Sequence, residues 1–500
     1  MITPYETVIG LEIHVQLNTA SKMFSGDSNA DTLEPNVHVS PISLGHPGTL
    51  PVVNTQAVDY GIVLGLAMNC DIALFTKFDR KHYFYPDLPK GYQISQYDLP
   101  LCSDGELTIY PDNVTPVTIN IERIHLEEDA AKNVHAQEAT LVDFNRAGSP
   151  LAEIVTRPDI TDPKTARLFV QELQTLVRYL GISDADMEKG HMRIDANVSL
   201  RPVGDTALYP KTEIKNLNST KTIEKALLFE IQRQTDLWNR NEAPDILETR
   251  GWDETQQVTY VQRTKEQAAD YRYFPEPDIP PLHFTEDDIE RLRGRLPELP
   301  LDRRERFMQE YNLSYYDAKV LTTDPAVAEY YEQTISELRS WLSSLDSTEG
   351  SDEDIWNQSG RQLCRSACTW LTTEIFGLQT KFQQPFSSLK ISPENLAELI
   401  TLVYEHKVNS SAAQTIMRQM FEHGGDPSQL MQTLNLEQVH DEATLAQACD
   451  EIITANPQVV ADYQSGKERV LMFLVGKVMK QMNGAANPQT VTDLLRQKLK

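Results

Sequence analysis

Two polar residues stand on a stretch that otherwise alternates apolar and small side chains. Glu12 and His14 lie two positions apart in the stretch from Val8 to Leu17. On a strand, both side chains therefore point to the same side, about 6.5–7 Å apart. A carboxylate beside an imidazole can bind a divalent cation or transfer protons. Taken alone, the pair is explained more simply as a polar strand face exposed to solvent.

A run of three acids ends a second alternating stretch. Glu127, Glu128 and Asp129 follow shortly after His125, and because successive side chains of a strand point to opposite faces, each face receives at least one acid. Proteins bind Mg²⁺ through one or two carboxylates together with phosphate oxygens. The run is therefore a candidate magnesium site, and a solvated acidic turn is the alternative.

A third predicted strand has a polar face made of Arg193, Asp195, Asn197, Ser199 and Arg201. Two arginines suit an anion, because guanidinium groups bind phosphate and carboxylate oxygens in pairs. The aspartate between them could hold a metal ion beside that anion. A strand face exposed to solvent is the simpler alternative.

Aromatic and charged residues are interleaved at 78–87, where four aromatic side chains stand among charged ones. Lys81 in this segment could contact a phosphate as a point charge, and the aromatic rings could stack on a base. Rings packed into a core below a charged rim are the alternative. The segment 270–278 likewise mixes aromatic and charged residues.

The period of the apolar residues predicts the elements that carry these groups. Alternation with a period of two predicts strands at Val8–Leu17 and near 107–110, 116–126, 192–201 and 211–215. Helices are predicted at 55–69 and 163–180, the second capped by Asp162 with Pro163 in its first turn.

The pattern becomes helical after Thr285, which looks like an N-cap followed by acids. Further helices are predicted to start at Ser392 and Pro488 and to cover 467–482. The acid-rich stretch 343–359 contains no basic residue, and this composition predicts a flexible loop over all of these residues. The predicted fold is α+β, with a β-rich N-terminal domain at 1–290, an all-α helical domain at 291–391 and a small all-α tail domain at 392–500.

Composition narrows the class of protein. The 46 basic and 73 acidic residues give a net charge of −27, which argues against a general nucleic-acid coat. No run of apolar residues is long enough to span a membrane, and no secretory signal is evident. Five scattered cysteines fit a reducing cytoplasm, and Cys364 and Cys368 fit plain packing on one helix face.

Several well-known catalytic motifs are missing. The sequence contains neither a G-x-x-x-x-G-K-[ST] phosphate loop nor a G-x-G-x-x-G turn after a strand. It also lacks a G-x-S-x-G nucleophile elbow and an evident Ser–Lys or Cys–His set. A self-contained amidase is therefore unsupported, and ATP, if it binds, needs a different type of site.

Taken together, these segments resemble the B subunits of the aspartyl/glutamyl-tRNA amidotransferases, the GatB family. The resemblance covers nearly the whole chain. Its longest matching stretches are YETVIGLEIHV at 5–15, LGHPGTLPVVN at 44–54, KFDRKHYFYPD at 77–87, HLEED at 125–129 and DYRYFPEPD at 270–278.

The resemblance implies a function with partners. The family enzyme converts Glu-tRNA(Gln) to Gln-tRNA(Gln) or Asp-tRNA(Asn) to Asn-tRNA(Asn), as a heterotrimer with an amidase that frees ammonia and with a small third subunit. The B subunit is expected to phosphorylate the side-chain carboxylate with ATP and Mg²⁺ in a cradle formed by its N-terminal domain. The helical and tail domains are expected to hold the tRNA.

The resemblance also assigns roles to residues. It implies that Glu12, His14, Glu127 and Glu128 form the magnesium-binding set and that Lys81 contacts a phosphate. Three neighbours on another strand are further candidates: Asp195 for catalysis, and Arg193 and Asn197 for binding ATP.

Many members of the family bind a structural zinc ion through cysteines, and this chain departs from them. Ser25 or Asp27, Ser40 and Ser43 stand at the corresponding places. Without thiolates a tetrahedral zinc site is not credible, so we expect no zinc and a loop held by packing and hydrogen bonds.

Two alternatives compete with a catalytic B subunit. A non-catalytic tRNA-binding scaffold would not need the polar strand faces, and the archaeal-type E subunit has an extra domain for which 500 residues leave no room. Residues 463–500 hold seven basic and two acidic residues, a net charge of +5. This basic tail is expected to supply the main electrostatic attraction to tRNA.

Overall fold

The computed structural model describes residues 5–265, 270–344, 351–437, 442–482 and 486–499. Its contacts divide the chain into two compact units, Met1–Pro300 and Leu301–Lys500. The first unit is built on a large β-sheet and the second is helical, as the α+β prediction requires.

The strands of the first unit, in chain order, are β1 (Tyr5–Gln16), β2 (Asp71–Ile72), β3 (Phe75–Thr76), β4 (Asp79–His82), β5 (Tyr92–Ser95), β6 (Cys102–Ile109), β7 (Val117–Glu128), β8 (Lys132–His135), β9 (Thr140–Asp143), β10 (Pro150–Thr156), β11 (Met192–Pro202), β12 (Thr212–Lys215), β13 (Leu247–Asp253), β14 (Val258–Lys265), β15 (Phe274–Pro275) and β16 (Leu282–His283). All five strand predictions are confirmed within a few residues.

Nine of these strands form one sheet in the order β14-β13-β12-β11-β1-β10-β7-β6-β2. β1 lies between β10 and β11 and is antiparallel to both, and β10 continues to β7. A separate small sheet has the order β15-β4-β5 and joins the two aromatic segments.

The helices of the first unit are α1 (Thr55–Ala67), α2 (Pro163–Tyr179), α3 (Thr220–Asn239) and α4 (Glu286–Arg293). α2 begins as predicted, since the Asp162 side chain accepts hydrogen bonds from two first-turn N–H groups and Pro163 lies in that turn. Apolar residues of α1, α2 and α3 share one core with the apolar side of β1. The helices therefore cover one side of the sheet.

The second unit contains α5 (Pro300–Glu310), α6 (Tyr315–Leu321), α7 (Pro325–Ser343), α8 (Asp352–Thr369), a π-helical turn (Trp370–Ile375), α9 (Phe376–Phe382), α10 (Pro393–Tyr404), α11 (Ser410–His423), α12 (Pro427–Thr433), α13 (Glu442–Ala455), α14 (Pro457–Gln464), α15 (Leu471–Gln481) and α16 (Pro488–Lys498). The helix starts predicted at Ser392 and Pro488 are confirmed.

The acidic stretch differs from its prediction as a loop up to residue 359. Residues 345–350 lie outside the described part of the chain, and α8 begins directly after them. Ser351 caps this helix, and Asp352, Glu353 and Asp354 occupy its first turn. Acids at that position are stabilised by the exposed N–H groups and the helix dipole, so this part of the acidic run is a helix start.

Apolar packing in the second unit forms two clusters. The larger runs from Phe307 to Leu436 and the smaller from Leu445 to Leu499. The larger cluster joins α10 to the helices before it, so no gap in packing marks residues 391–392. The division into three domains stays a prediction.

Two smaller expectations concern membranes and thiols. No helix in the described part of the chain is long and apolar enough to cross a membrane. All five cysteines are buried and free, and Cys364 and Cys368 pack on α8 as predicted.

Candidate active site

The register of the central strands brings polar residues into one row. His14 on β1 lies opposite Glu153 on β10 and Arg193 on β11, and Glu153 in turn lies opposite His125 on β7. Directly opposed residues of antiparallel strands point to the same face of a sheet. The row faces away from the helices, because the apolar residues of β1 occupy the other side.

Three of these side chains form a cluster of metal-ligand type. A nitrogen of His14 and carboxylate oxygens of Glu127 and Glu153 all lie within 4.8 Å of one another. His14 Nε2 is 3.4 Å from Glu127 Oε1 and 3.4 Å from Glu153 Oε2. The two carboxylates are only 2 % and 7 % exposed. We call His14, Glu127 and Glu153 the metal-ligand cluster.

The acids of this cluster lie against imidazoles and not against Lys or Arg side chains. Glu153 Oε2 is 3.1 Å from His125 Nε2, and within the described ranges no Lys or Arg nitrogen lies within 4.0 Å of Glu127 or Glu153. Burial lowers the pKa of His14, but the hydrogen bond with Glu153 and the charges of both glutamates outweigh it and raise the pKa to about 9. A protonated His14 therefore occupies the place between the acids that a cation could take.

The fit of a divalent cation follows from the donor set. Two carboxylates and one imidazole can bind such an ion if His14 gives up its proton. His125 Nε2 contacts the same oxygen of Glu153, Oε2, that His14 contacts, and a second group of this kind commonly orients a metal ligand. The residues present therefore fit a divalent cation, with the two carboxylates supplying the oxygen ligands that Mg²⁺ accepts and the imidazole also suiting a transition-metal ion.

Glu12 and Asp195 lie next to the cluster but outside it. They face each other across β1 and β11. Glu12 accepts a hydrogen bond of 2.9 Å from Asn197 Nδ2, and Asp195 forms an ion pair of 2.5 Å with Lys215. The structure therefore brings Glu12 near His14 without placing its carboxylate among the three ligands.

Glu128 points the other way. Its carboxylate is 5 % exposed, forms an ion pair with Lys90 and accepts a 3.0 Å hydrogen bond from the Ile94 N–H. Glu127, one residue earlier, is in the cleft. The structure therefore separates Glu128 from His14, although the sequence grouped them.

Lys81 reaches the same cleft from β4. Its ammonium lies 5.1 Å from the ring centroid of Tyr271, and among the described residues it forms no ion pair within 4.0 Å. Burial lowers the pKa of Lys81, but Glu127 and other neighbours outweigh this and raise it. Arg193 Nη2 is 2.8 Å from Asp129 Oδ2. The side chains of Lys81 and Arg193 therefore both carry a positive charge at neutral pH.

The metal-ligand cluster, Lys81 and Arg193 line one cleft of about 820 Å³. Its basic residues are Lys81, Arg123, Arg193, Lys211, Lys215, Arg263 and Arg272. Its acidic residues are Glu12, Glu127, Asp129, Glu153, Asp195, Glu213 and Asp270. Seven Lys and Arg residues thus match seven Asp and Glu residues in a chain whose net charge is −27, so the cleft can accept an anion that the whole protein would repel.

Sequence reasoning gave no role to Glu153 or His125. Glu153 was visible as a single carboxylate within the apolar stretch Pro150–Thr156, all of which is buried except Val155. A lone acid in a buried strand is a usable signal, because burying an unpaired charge is costly. Its partner could not be read from the sequence.

The residues expected to correspond to the cysteines of many family members (Ser25 or Asp27, Ser40 and Ser43) form a hydrogen-bonded group, which we call the serine–aspartate cluster. Asp27 accepts from the Ser25 hydroxyl (3.1 Å), from the Ser43 hydroxyl and from the Ser40 N–H (3.0 Å). Lys22 is buried nearby and donates to the His38 carbonyl at 2.6 Å. The expected hydrogen bonds are thus present in this loop.

Comparison with known proteins identifies the chain. Residues 7–290 match the model of the GatB/GatE catalytic domain, and residues 354–499 match the GatB domain. The B subunit of the aspartyl/glutamyl-tRNA(Asn/Gln) amidotransferase of Carboxydothermus hydrogenoformans is 44% identical over 500 residues, and that of Thermomicrobium roseum is 46% identical over 501 residues. Each comparison covers 99% of both chains.

The first unit, with its polar cleft, is therefore the catalytic domain shared by GatB and GatE proteins. The chain as a whole belongs to the GatB family, the B subunits of the aspartyl/glutamyl-tRNA(Asn/Gln) amidotransferases.

Proposed function

We propose that this chain is the catalytic B subunit of a tRNA-dependent amidotransferase. It phosphorylates the side-chain carboxylate of Glu-tRNA(Gln) or Asp-tRNA(Asn) with ATP, and the activated group then reacts with ammonia from a partner amidase. The metal-ligand cluster in a cleft that also holds Lys81 and Arg193 supports this proposal most directly.

The reaction has two balanced steps. A carboxylate oxygen attacks the γ-phosphorus of ATP, the bond to the bridging oxygen breaks, and ADP leaves. The nitrogen of ammonia then attacks the acyl carbon, the bond to the phosphate oxygen breaks, and loss of a proton gives the amide and inorganic phosphate. Phosphoryl transfer depends mainly on positioning and charge stabilisation, which this cleft offers.

The residues divide this work by charge. A Mg²⁺ ion bound by His14, Glu127 and Glu153 would offset the negative charge of the phosphates. Lys81 adds a second positive charge that no described carboxylate pairs with, so it can contact a phosphate directly. Arg193, held by Asp129, borders the row on the β11 side. Glu12 and Asp195 hold Asn197 and Lys215 in place beside it.

The scaffold alternative is less well supported. Burying two carboxylates against two imidazoles costs folding stability. Such an arrangement is expected where it serves binding or catalysis. A subunit that only positions tRNA for a partner needs no such cluster. The observed geometry therefore favours the catalytic proposal.

The tail prediction becomes more specific with the structure. Lys467 pairs with Asp462 at 3.0 Å and Lys498 with Asp450 at 2.7 Å. Part of the basic charge of residues 463–500 is therefore offset by acids within the same unit. We propose that the tail contributes to tRNA binding with a smaller salt dependence than its net charge of +5 suggests.

Reconstitution with a partner amidase and a small third subunit tests the function. Glu-tRNA(Gln) and Asp-tRNA(Asn) are assayed side by side with ATP and Mg²⁺. We expect amide product and ADP to form together, and to stop in the His14→Ala variant while tRNA binding remains. His423→Ala, at an exposed histidine of α11, is the matched control. Unchanged turnover in His14→Ala would overturn the site assignment.

A further inference from the structure

One wall of the cleft is a continuous row of four tyrosine rings. Tyr83 and Tyr271 have ring centroids 6.1 Å apart, Tyr271 and Tyr273 are 6.0 Å apart, and Tyr273 and Tyr97 are 4.2 Å apart. The row passes Lys81, whose ammonium lies over Tyr271. All four rings line the cleft that contains the metal-ligand cluster.

The last two rings differ from the others. Tyr97 and Tyr273 are stacked with an interplanar angle of 9°, whereas the other two contacts are edge-on at 67° and 76°. Tyr97 is 60 % exposed. One face of Tyr97 lies against Tyr273, and because Tyr97 both lines the cleft and is largely exposed, part of its side chain is accessible to a ligand.

The backbone at Tyr97 is firmly held. Its N–H donates to Asp79 at 3.1 Å, and Asp79 is 2 % exposed and paired with Lys77. Gln96, the preceding residue, donates to Thr76 at 2.7 Å and accepts from the Leu126 N–H at 2.9 Å. A large exposed ring on a fixed backbone loses little entropy when a ligand stacks on it.

We propose that the Tyr97–Tyr273 pair is a stacking platform for an adenine base. Aromatic rings bind bases through their faces, and a nucleotide stacked there would have its phosphates in the same cleft as Lys81 and the metal-ligand cluster. A cleft of about 820 Å³ is within the usual range for such a ligand. This inference rests on the proposed function, because that function brings adenine to the cleft.

Two substrates carry the base. One is ATP, and the other is the aminoacyl-tRNA, whose terminal adenosine bears the amino acid. Both present the same ring to the platform, so the measurements must separate them.

The first experiment measures binding to the reconstituted complex. Mg²⁺·ATP and Mg²⁺·tripolyphosphate are titrated into the wild type, Tyr97→Ala and Tyr97→Phe, and KM values for ATP and for aminoacyl-tRNA are determined. We expect Tyr97→Ala to weaken one substrate by about 5- to 150-fold, equivalent to ~1–3 kcal/mol. Tyr97→Phe should keep wild-type affinity, and tripolyphosphate binding should not change.

The pattern identifies the source of the base. A higher KM for ATP alone supports the adenine of ATP as ligand, and a higher KM for aminoacyl-tRNA alone supports the terminal adenosine. Tyr260→Ala, at a tyrosine of β14 that is 43 % exposed and does not line the cleft, is the matched control and should change neither value.

Failure of the inference is distinct from failure of the function. If the wild-type complex is active and Tyr97→Ala leaves both KM values unchanged, the platform is wrong while the proposed function stands. Equal losses in Tyr97→Phe and Tyr97→Ala would also overturn stacking, because phenylalanine keeps the ring. A wild-type complex that forms no ADP with either tRNA would instead contradict the proposed function.

Discussion

Glu127 and Glu128 are neighbours in the chain, both buried, and lie in two different environments. Glu127 faces His14 in the metal-ligand cluster, where the described neighbours within 4.0 Å that could carry positive charge are imidazoles. Glu128 lies on the opposite side of β7, beside the serine–aspartate cluster, and pairs with the ammonium of Lys90.

In the environment of Glu128, the charged groups of Asp27, Glu128 and Lys22 each have a hydrogen-bond or ion-pair partner. Asp27 receives three hydrogen bonds from serine groups, Glu128 has a lysine and a backbone N–H, and buried Lys22 donates to carbonyl oxygens. Burial lowers the pKa of Lys22 to about 8, with Asp27, Glu128 and Asp143 opposing that decrease. This set of paired charges around Glu128 is therefore stable without a bound ligand.

The two environments distinguish a carboxylate that stabilises the fold from carboxylates that can bind a ligand. A buried carboxylate with a permanent cation and backbone donors stabilises a loop, whereas carboxylates compensated by imidazoles can exchange a proton for a metal ion. Burial alone does not distinguish the two, since both glutamates are at most 5 % exposed. The partners make the distinction.

The largest expected effect comes from breaking the metal-ligand cluster. Glu153→Gln removes one ligand charge and should lower ADP formation by roughly 100- to 1000-fold, the size usual for losing one electrostatic contact in a transition state. Glu122→Gln, at an exposed residue of β7, is the control. Both are compared in single-turnover assays over a range of Mg²⁺ concentrations. Wild-type rates in Glu153→Gln would show that the cluster is not the metal site.

Glu128→Gln tests the other side of β7. It leaves the partly buried Lys90 without its counter-charge, so we expect the N-terminal unit to lose about 3 kcal/mol of stability. ADP formation by the folded protein should stay within about twofold of wild type. Calorimetric unfolding and the single-turnover assay measure the two quantities. A folded Glu128→Gln protein that no longer responds to Mg²⁺ would restore Glu128 to the ligand set.

Asp27→Asn should change how stability depends on pH. Burial raises the pKa of Asp27, but hydrogen bonds from Ser43, Ser40 and Ser25 outweigh it and hold the pKa below its usual 3.8. Its contribution is therefore present above the unfolded value and lost as the pH falls below about 4. Unfolding midpoints between pH 3 and 7 should fall less steeply in Asp27→Asn than in wild type. Parallel curves would contradict this account.

The smallest effect on activity is expected from introducing thiols into the serine–aspartate cluster. Replacing Ser25, Asp27, Ser40 and Ser43 with cysteine supplies four thiolates, the ligands of a structural zinc site. We expect one zinc ion per chain in this variant, none in wild type, and little change in turnover, because the cluster lies outside the cleft. Metal analysis of both purified proteins decides it. Stoichiometric zinc in wild type would overturn the prediction from the sequence.

Much of the fold could be predicted because its signals are local. The period of apolar residues in β1 and the Asp162–Pro163 cap of α2 need no distant partner. α3 was missed because Glu230 and Gln234 are buried on its inner face, which interrupts the apolar stripe. β10 was missed because Pro150–Thr156 is nearly all buried and does not alternate.

The candidate site was predicted only in part. His14, Glu127, Lys81 and Arg193 were singled out by type and spacing, and the structure places all four in one cleft. Glu153 was not, because its meeting with His14 depends on the pairing of strands 139 positions apart in the chain. Nothing local in either segment fixes that register.

The sequence by itself determined the strand period, the helix caps, the absence of thiols in the loop and the family. The tertiary structure decided which acid meets which base. Strand alternation places Glu127 and Glu128 on opposite faces, but it does not say which face receives the imidazoles and which receives Lys90. That choice depends on the antiparallel register of β7, β10, β1 and β11, which the packing of the whole sheet determines.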